Sequence, residues 1–290
     1  MSLTNMAVQK LLALKADFDK ARRGKESLLA LIDDAEVPES VYNSNAIENS
    51  TLTLKETEKI LLDMEVSRDL SLREVFEAKN LAQINAFLRN KPATEPLTIE
   101  LILLLHKMLM NGIVDTIAGR FRRKGEYVRI GTYIAPPPEN IPGLIDKLQE
   151  RYDSDLSSFV LEKIAYYHLE FEHIHPFIDG NGRIGRVVLN FQLKKNGFPN
   201  IIIRDREKQN YYKAFKDYDE KKEASGMEKI IALNLMEALH KRIAYLKGKN
   251  IIPLVDFAEK QKKSKNALLN AARRQTIPAF REKGVWKIGA

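Results

Sequence analysis

The sequence predicts a mainly α-helical protein with one short β-hairpin and a small C-terminal module resembling a winged helix-turn-helix. Three observations predict it. Apolar residues recur at helical spacing through most of the 290 residues. A single stretch, 127–135, alternates β-branched and aromatic residues instead. The basic tail reads as two short helices followed by a hairpin.

The elements follow in order. Leu11, Leu12, Leu14 and Phe18 open an amphipathic pattern that resumes from Leu28 to Ile32. Ser44-Asn45-Ala46-Ile47-Glu48-Asn49 reads on its own as a helix end, with Asn49 as the C-cap. Thr53-Leu54-Lys55-Glu56 has the form of a capping box, in which hydroxyl and carboxylate reciprocally satisfy first-turn N–H groups. Ser71-Leu72-Arg73-Glu74 is a second one, followed by Val75, Ala78, Leu81, Ile84 and Phe87 on one face. Thr98 opens a helix through Met108, and Met227 to Leu246 gives a long one. Between them, Tyr127-Val128-Arg129-Ile130-Gly131-Thr132-Tyr133-Ile134-Ala135 predicts an exposed hairpin that Pro136-Pro137-Pro138 ends. In the tail, Leu254–Glu259 and Lys265–Ala272 predict two helices. Thr276–Phe280 and Gly284–Ile288 predict the strands of a wing.

Composition bounds the chemistry. With 44% hydrophobic residues the chain can bury an ordinary core, and with no cysteine it has neither disulfides nor thiolate metal sites. The stretch Met1–Lys20 interrupts its Leu residues with Lys and Asp, so it reads neither as a signal peptide nor as a membrane span. A cytoplasmic protein without membrane contact is the expectation. The net charge of +8 is uneven: thirteen Lys or Arg face three acids from Lys241 to Ala290, leaving the other 240 residues at about −2. The basicity is therefore expected to belong to the tail. Arg273 and Arg274 near the end of its second helix suit phosphates or base edges, so DNA is a candidate partner through 247–290. A solvated basic face on a protein-binding or dimerisation piece is the competing reading, which keeps a homo-oligomer open.

The chemistry concentrates in His175-Pro176-Phe177-Ile178-Asp179-Gly180-Asn181-Gly182-Arg183-Ile184-Gly185-Arg186. Val160, Ile164, Tyr167 and Phe171 precede it at helical spacing, and Ile184, Val187, Val188 and Phe191 continue that spacing until Asn196-Gly197. The segment is thus a loop ending at a helix N-terminus, where unpaired N–H groups and the helix dipole favour an anion. Gly180 and Gly182 let the backbone curl into a nest of N–H groups. Asp179 is a hard oxygen ligand suited to Mg²⁺ that phosphates already coordinate. Arg183 and Arg186, about one turn apart, can grip successive phosphates. His175 is the one group of the loop able to take a proton near neutral pH. The pair His173 and His175 lacks a third nitrogen or sulfur ligand in view, which argues against a metal site there.

These residues resemble the signature of Fic (Fic/DOC) domains, His-x-Phe-x-(Asp/Glu)-Gly-Asn-Gly-Arg-x-x-Arg, and every defined position matches. The resemblance implies a Fic-fold helical core and transfer of AMP from ATP to a protein hydroxyl (Ser, Thr or Tyr), releasing pyrophosphate. It implies His175 as general base and Asp179 as the ligand of Mg²⁺, with Mn²⁺ as an alternative. Gly180, Asn181 and Gly182 would cradle the phosphates, and Arg183 and Arg186 would hold the β- and γ-groups. Ser44 and Glu48 match the family's inhibitory pattern (Ser/Thr)-x-x-x-Glu-(Gly/Asn), which implies that Glu48 pairs with Arg186. The hairpin 127–133 corresponds to the family's flap, which clamps a target segment by main-chain pairing. Tyr211 and Tyr212 are the adenine-side candidates, or two half-buried helix tyrosines. The chain departs from the family where an amide is common and Asp217 or Asp219 stands. The expected organisation is 1–62 inhibitory segment, 63–246 Fic core and 247–290 winged-helix-like module. Two alternatives remain: a DNA-bound regulator whose Fic domain senses nucleotide, and an enzyme that mainly removes AMP.

Overall fold

The computed structural model describes residues 3–66, 70–131 and 133–290. Helices α1 (Asn5–Ala21) and α2 (Glu26–Ile47) lead in, followed by α3 (Leu54–Glu58), α4 (Leu72–Arg89) and α5 (Ile99–Met110). A two-stranded hairpin, β1 (Arg129–Ile130) and β2 (Tyr133–Ile134), precedes α6 (Ile141–Ser154), α7 (Val160–Ile174), α8 (Asn181–Lys195), α9 (Lys208–Lys221) and α10 (Ser225–Leu246). The tail holds β3 (Ile251–Pro253), α11 (Leu254–Lys260), α12 (Lys265–Arg273), β4 (Ala279–Glu282) and β5 (Val285–Gly289). No described helix is long and apolar enough to cross a membrane.

Two hydrophobic cores share one central layer. The first is built from α4, α5, α6 and one side of α7 and α8, with Tyr167, Phe171, Ile184 and Val188 among its members. The second uses the other side of the same two helices, Leu161, Ile164, Leu189 and Leu193, against α1, α9 and α10. Helices α7 and α8 each present apolar residues on two sides, and both sides are covered. The two helices that flank the loop are therefore held from both sides by packed core, and Phe177 ties the loop itself into the first. Close approach of the pair is permitted at Gly185, where a Cβ would overlap the Glu172 carboxyl and press on His168.

Side-chain caps start four of the twelve described α-helices, α1, α3, α5 and α12. Thr98 accepts from Leu101 N at 3.2 Å, and Thr53 forms its full capping box with Glu56. The second expected box does not form. Ser71 is the N-cap of α4 but makes no side-chain bond, because Glu74 is taken by the Ser50 hydroxyl at 3.0 Å and by Thr51. A tertiary partner outcompetes the local one.

The tail folds as two helices against a three-stranded antiparallel sheet of order β3-β5-β4. Its own core is small: Leu254, Ala258, Leu268, Ala272, Ala279 and Ile288. Strand β3 was not expected from the sequence; Pro253 ends it on the sheet edge, where a missing N–H costs little. The Lys283-Gly284 turn has φ of +48° and +80°, the left-handed pair that a two-residue hairpin turn prefers.

Charge in the tail differs from the sequence expectation. Seven of the thirteen basic residues pair with acids, five of them with acids outside the tail. Lys241 meets Glu36 at 3.0 Å, Arg242 meets Asp33 at 2.6 Å, and Lys247 meets Asp17 at 2.6 Å. The basic excess is therefore largely internal, balanced by the slightly acidic remainder of the chain.

Candidate active site

The loop between α7 and α8 is rigid for local reasons. His175 terminates α7 in the left-handed region (φ +50°), with its N–H on Phe171 O at 3.0 Å. Asn181 clamps the loop from inside: its amide accepts from Phe177 N and donates to Phe177 O, both at 2.9 Å. Its side chain is thus occupied, and only its backbone N–H can serve an anion. Gly180 sits at φ +83°, and a Cβ there would strike Leu109. Beneath the loop, the buried His106 stacks on Phe177 at 3.7 Å and holds Asp179 O at 3.0 Å through Nε2, while Nδ1 accepts from Gly119 N. Burial pushes the His106 imidazole down to about 4, so it is neutral and can donate and accept at once.

His175 is poised as a base. Burial first, and then the Arg122 charge, lower it to about 4, which leaves the ring neutral at pH 7. Nδ1 lies 3.3 Å from Glu172 O; with the proton on that nitrogen, Nε2 is free to accept. The His175 carbonyl takes a 2.8 Å bond from Arg122, whose guanidinium also reaches Pro136 O at 2.9 Å and Glu126 O at 3.0 Å. One buried arginine therefore joins both feet of the hairpin to the loop.

The anion nest is flanked by three guanidiniums. Arg183 meets Asp179 Oδ1 at 3.1 Å and Glu77 Oε1 at 2.8 Å. Arg73, from the start of α4, pairs with Asp179 Oδ2 and with Glu77 at 3.0 Å. Burial would raise the Asp179 carboxyl, but Arg183 and Arg73 outweigh it and hold it below the ordinary range, hence ionised. Among the described residues no three His, Cys, Asp or Glu form a metal cage. A divalent cation here would have one carboxylate and complete its shell from phosphate oxygens and water, which is the way Mg²⁺ binds at phosphate sites. Asp179, ionised and one-third exposed, fits that role once Arg73 moves off its outer oxygen.

Arg186 is occupied from α2. Its Nη2 meets Glu48 Oε1 at 2.9 Å and Ser44 O at 2.7 Å, and its Nε donates to Ser44 Oγ at 3.0 Å. The Glu48 carboxylate lies directly over Gly182, where any Cβ would overlap Oε1. It therefore occupies the start of α8, where an external anion would sit. Burial works against the Arg186 charge, and the Glu48 carboxylate overcomes it, so the guanidinium is held more firmly protonated than usual. Its Nη1 is buried without a partner among the described residues. Glu172, beneath, is pushed up to about 8 by burial and then by the Glu48 charge. It is the neutral member of a carboxyl pair.

Other expected residues are placed differently. Tyr211 is 1% exposed; its hydroxyl meets His168 at 2.7 Å and its ring lies 6.0 Å from the Arg186 guanidinium. It supports Arg186 from the core and cannot face a purine, which corrects that reading. Tyr212 is 44% exposed, and its hydroxyl caps Ile47 O at 2.9 Å. In the flap, Tyr127, Arg129, Ile130 and Gly131 are exposed, Val128 is partly covered and bonds Ala135 through its carbonyl at 3.0 Å, and Thr132 lies outside the described residues. Tyr133 is an anchor: its ring stacks on His173 at 4.4 Å and its hydroxyl meets Nε2 at 2.9 Å, while Asp219 takes Nδ1 at 2.8 Å. Both nitrogens of His173 are thereby engaged, and Asp219 is explained as a flap anchor; Asp217 pairs with Lys213. Arg122, His106, Arg73, Glu77 and Glu172 escaped the sequence reading. Only the Gly119-Arg120-Phe121-Arg122 run offered a signal, a glycine and an aromatic beside a buried charge.

Comparison with known proteins agrees with this geometry. Residues 96–193 match the Fic/DOC family. Protein adenylyltransferase Fic of Drosophila persimilis is 35% identical over 178 residues, 59% of this chain and 34% of that protein. The chain spans about a third of the length of the curated relatives it matches. A Fic domain-containing signaling protein from Bacteroides thetaiotaomicron has a TM-score of 0.74 at 25% identity, covering 83% of this chain and 97% of its own. A Fic family protein from Desulfovibrio desulfuricans shares the fold across 100% of this chain and 97% of its own, with a TM-score of 0.68 at 20% identity. Residues 96–193, the stretch similar to the Fic/DOC family, end in the helix–loop–helix that carries His175 and Arg186.

Proposed function

We propose that this protein transfers AMP from ATP to a hydroxyl of a protein, itself included, and that Glu48 holds it in an inhibited state. The observation that carries the reading is the neutral His175 beside an N–H nest whose anion position Glu48 already fills. In the transfer, Nε2 of His175 takes the proton of the target hydroxyl. The oxygen attacks the α-phosphorus in line, the bond to the β-phosphate oxygen breaks, and pyrophosphate leaves. The Gly180–Gly182 backbone and Arg183 receive the phosphates; Arg186 takes the γ-phosphate once Glu48 withdraws. Mg²⁺ held by Asp179, or Mn²⁺ in its place, would neutralise phosphate charge. The flap supplies main-chain hydrogen bonds to the target, so its backbone is fixed without a sequence requirement.

The test is incubation with α-labelled or γ-labelled ATP followed by mass spectrometry of the protein. Adenylyl transfer predicts α-label and an AMP adduct; γ-label alone would replace it with phosphoryl transfer. Removal of AMP is the reverse use of the same site, with Glu48 orienting a water, and release of AMP from a pre-modified protein would reveal it.

A second reading concerns the tail. Lys249, Lys260, Lys262, Lys263, Arg273 and Arg274 are the tail cations without a paired carboxylate among the described residues. On α12, Asn266, Asn270 and Arg273 recur at i, i+4, i+7 opposite the buried Leu268 and Ala272. Amide and guanidinium side chains on one exposed helix face suit adenine and guanine edges, and the flanking lysines suit phosphates. Duplex DNA is the partner this second reading proposes for α12, against a protein-binding basic face. Salt-dependent retardation of a duplex, lost in N266A/N270A/R273A, checks it.

A further inference from the structure

The C-terminal wing does not face outward. Its turn is docked on the helix that carries Ser44 and Glu48. Lys283 N–H, presented by the tight Lys283-Gly284 turn, donates to Glu39 Oε2 at 2.9 Å. Glu39, 5% exposed, takes Arg204 Nε on its other oxygen at 3.3 Å. Lys283 Nζ pairs with Glu58 of α3 at 2.8 Å, and Gly284 O accepts from Arg206 at 2.9 Å. The strand behind the turn is fixed in its place by Arg281, which meets Glu237 at 2.6 Å and Glu207 at 2.5 Å. Arg204 shares Glu237 at 3.0 Å, so wing, α10 and α2 meet in one buried charge network.

We infer that the wing turn is a positioning device for the inhibitory glutamate, with Glu39 as the residue through which it acts. The inference rests on the inhibitory reading of Glu48 proposed above. Glu39 and Glu48 lie nine residues apart on α2 and its C-cap, about 13 Å of helical rise. Asn43, one turn after Glu39, accepts from Asp205 N at 3.0 Å and donates to Glu39 O at 2.8 Å. The stripe Glu39–Asn43 is thus gripped by the wing and by 204–205, while the stripe Ser44–Glu48 meets Arg186. A helix held on two stripes has its axial register and rotation fixed. Releasing the first grip frees the second to move, and the Glu48 carboxylate reaches Arg186 only in one register. Any partner that pulls the C-terminal module off α2 would then raise activity without touching the ATP site.

The experiment measures AMP self-incorporation for Glu39→Gln, Glu48→Gly and the double variant in the full chain. Gln retains the volume but loses the charge that faces Arg204 and the turn. Losing hydrogen bonds to a buried charge shifts a two-state balance on the order of tenfold. Glu39→Gln should therefore raise incorporation on the order of tenfold in the wild-type background and leave the Glu48→Gly background unchanged. Gly284→Ala is a second, independent variant: it strains a φ of +80° and brings a Cβ to 3.3 Å from Arg206, displacing the turn without touching α2. It should act in the same direction. Hydrogen exchange over residues 39–48 should speed up in both. A rise with Glu48→Gly but with neither Glu39→Gln nor Gly284→Ala would overturn the coupling and leave the inhibitory reading intact. No rise with Glu48→Gly would remove the inhibitory reading and the coupling with it. Loss of activity in both backgrounds would make Glu39 a structural residue only, and would also overturn the proposal.

Discussion

Glu48 and Arg186, 138 residues apart in the chain, meet at 2.9 Å over a glycine that leaves room for nothing larger. That contact joins the end of α2 to the first turns of α8. It places a carboxylate of the protein where a phosphate oxygen would otherwise satisfy both the guanidinium and the helix N-terminus. Arg186 cannot serve Glu48 and a γ-phosphate with the same nitrogen.

Glu48→Gly should raise AMP incorporation. Nothing new is made; a competing state is removed, so the fraction of molecules able to align the α-phosphate grows. An increase on the order of tenfold or more is expected, since the lost contact is a charge-assisted bond at a partly buried site. Arg186→Ala should lose activity in either background. A Glu48 that served only packing would give the opposite pattern: flat or reduced incorporation and a lower melting temperature.

His175 sets the acid side of the rate profile. An ordinary histidine would be half protonated near 6.5, whereas burial and Arg122 hold this one near 4. The base should therefore remain available as pH falls, and the rate should stay level from about pH 8 to about pH 5 before declining. His175→Ala should cost ~10²–10⁴-fold in rate with ATP binding retained. An acid limb centred near 6.5 in the rate profile would contradict the buried, neutral imidazole.

Glu172 predicts a stability effect of opposite pH sense. Its folded value, about 8, lies above the unfolded 4.5. Between those values the folded state holds a proton that the unfolded state has released. Stability from this group is full below about pH 4.5 and falls as pH rises to about 8. The size is on the order of a few kcal/mol. Urea unfolding of Glu172→Gln should show a shallower decline across that window, and Glu48→Gly should shrink the effect by removing the neighbouring charge. Equal pH slopes for wild type and Glu172→Gln would end this account.

What the sequence made legible was local. The run 175–186 sets its own loop, because a left-handed C-cap, an Asn clamp and two glycines are encoded within a few residues of each other. Thr53 and Glu56 likewise meet three residues apart. Glu48 on Arg186 was legible only through the family resemblance; the other pairings that need the tertiary fold stayed hidden: Arg122 on the carbonyls of 126, 136 and 175, Arg73 on Asp179, and Asp219 behind His173. Ser71-x-x-Glu74 shows the same limit from the other side. Its local pattern is intact, yet Glu74 is drawn to Ser50 and Thr51, 23 or more residues away. Charge counting found the basic tail but could not say which cations the body would neutralise.

The last prediction follows from Arg281. The tail's charge, taken from sequence, suggests a module that can be cut away; the structure makes it part of the body. Arg281 is 6% exposed and Glu237 4% exposed, and the pair is bidentate, with the Arg281 backbone N–H on the same carboxylate at 2.9 Å. Removing Arg281 leaves Glu237 buried beside Arg204 alone, and an orphaned buried charge is among the costliest single defects. Arg281→Ala should therefore lower stability by about 3–5 kcal/mol, read as the shift in the urea midpoint at constant slope. Deletion of 254–290 should do at least as much, since it also exposes the surfaces that Phe280 and Gln275 cover against Tyr245 and His240. A truncated chain that melts like the full one would show that the Glu237 network contributes little. Exposed Lys263→Ala, which pairs with no described carboxylate, should change stability by no more than about 0.5 kcal/mol. The contrast between these two tail cations separates charge that holds the protein together from charge left for a partner.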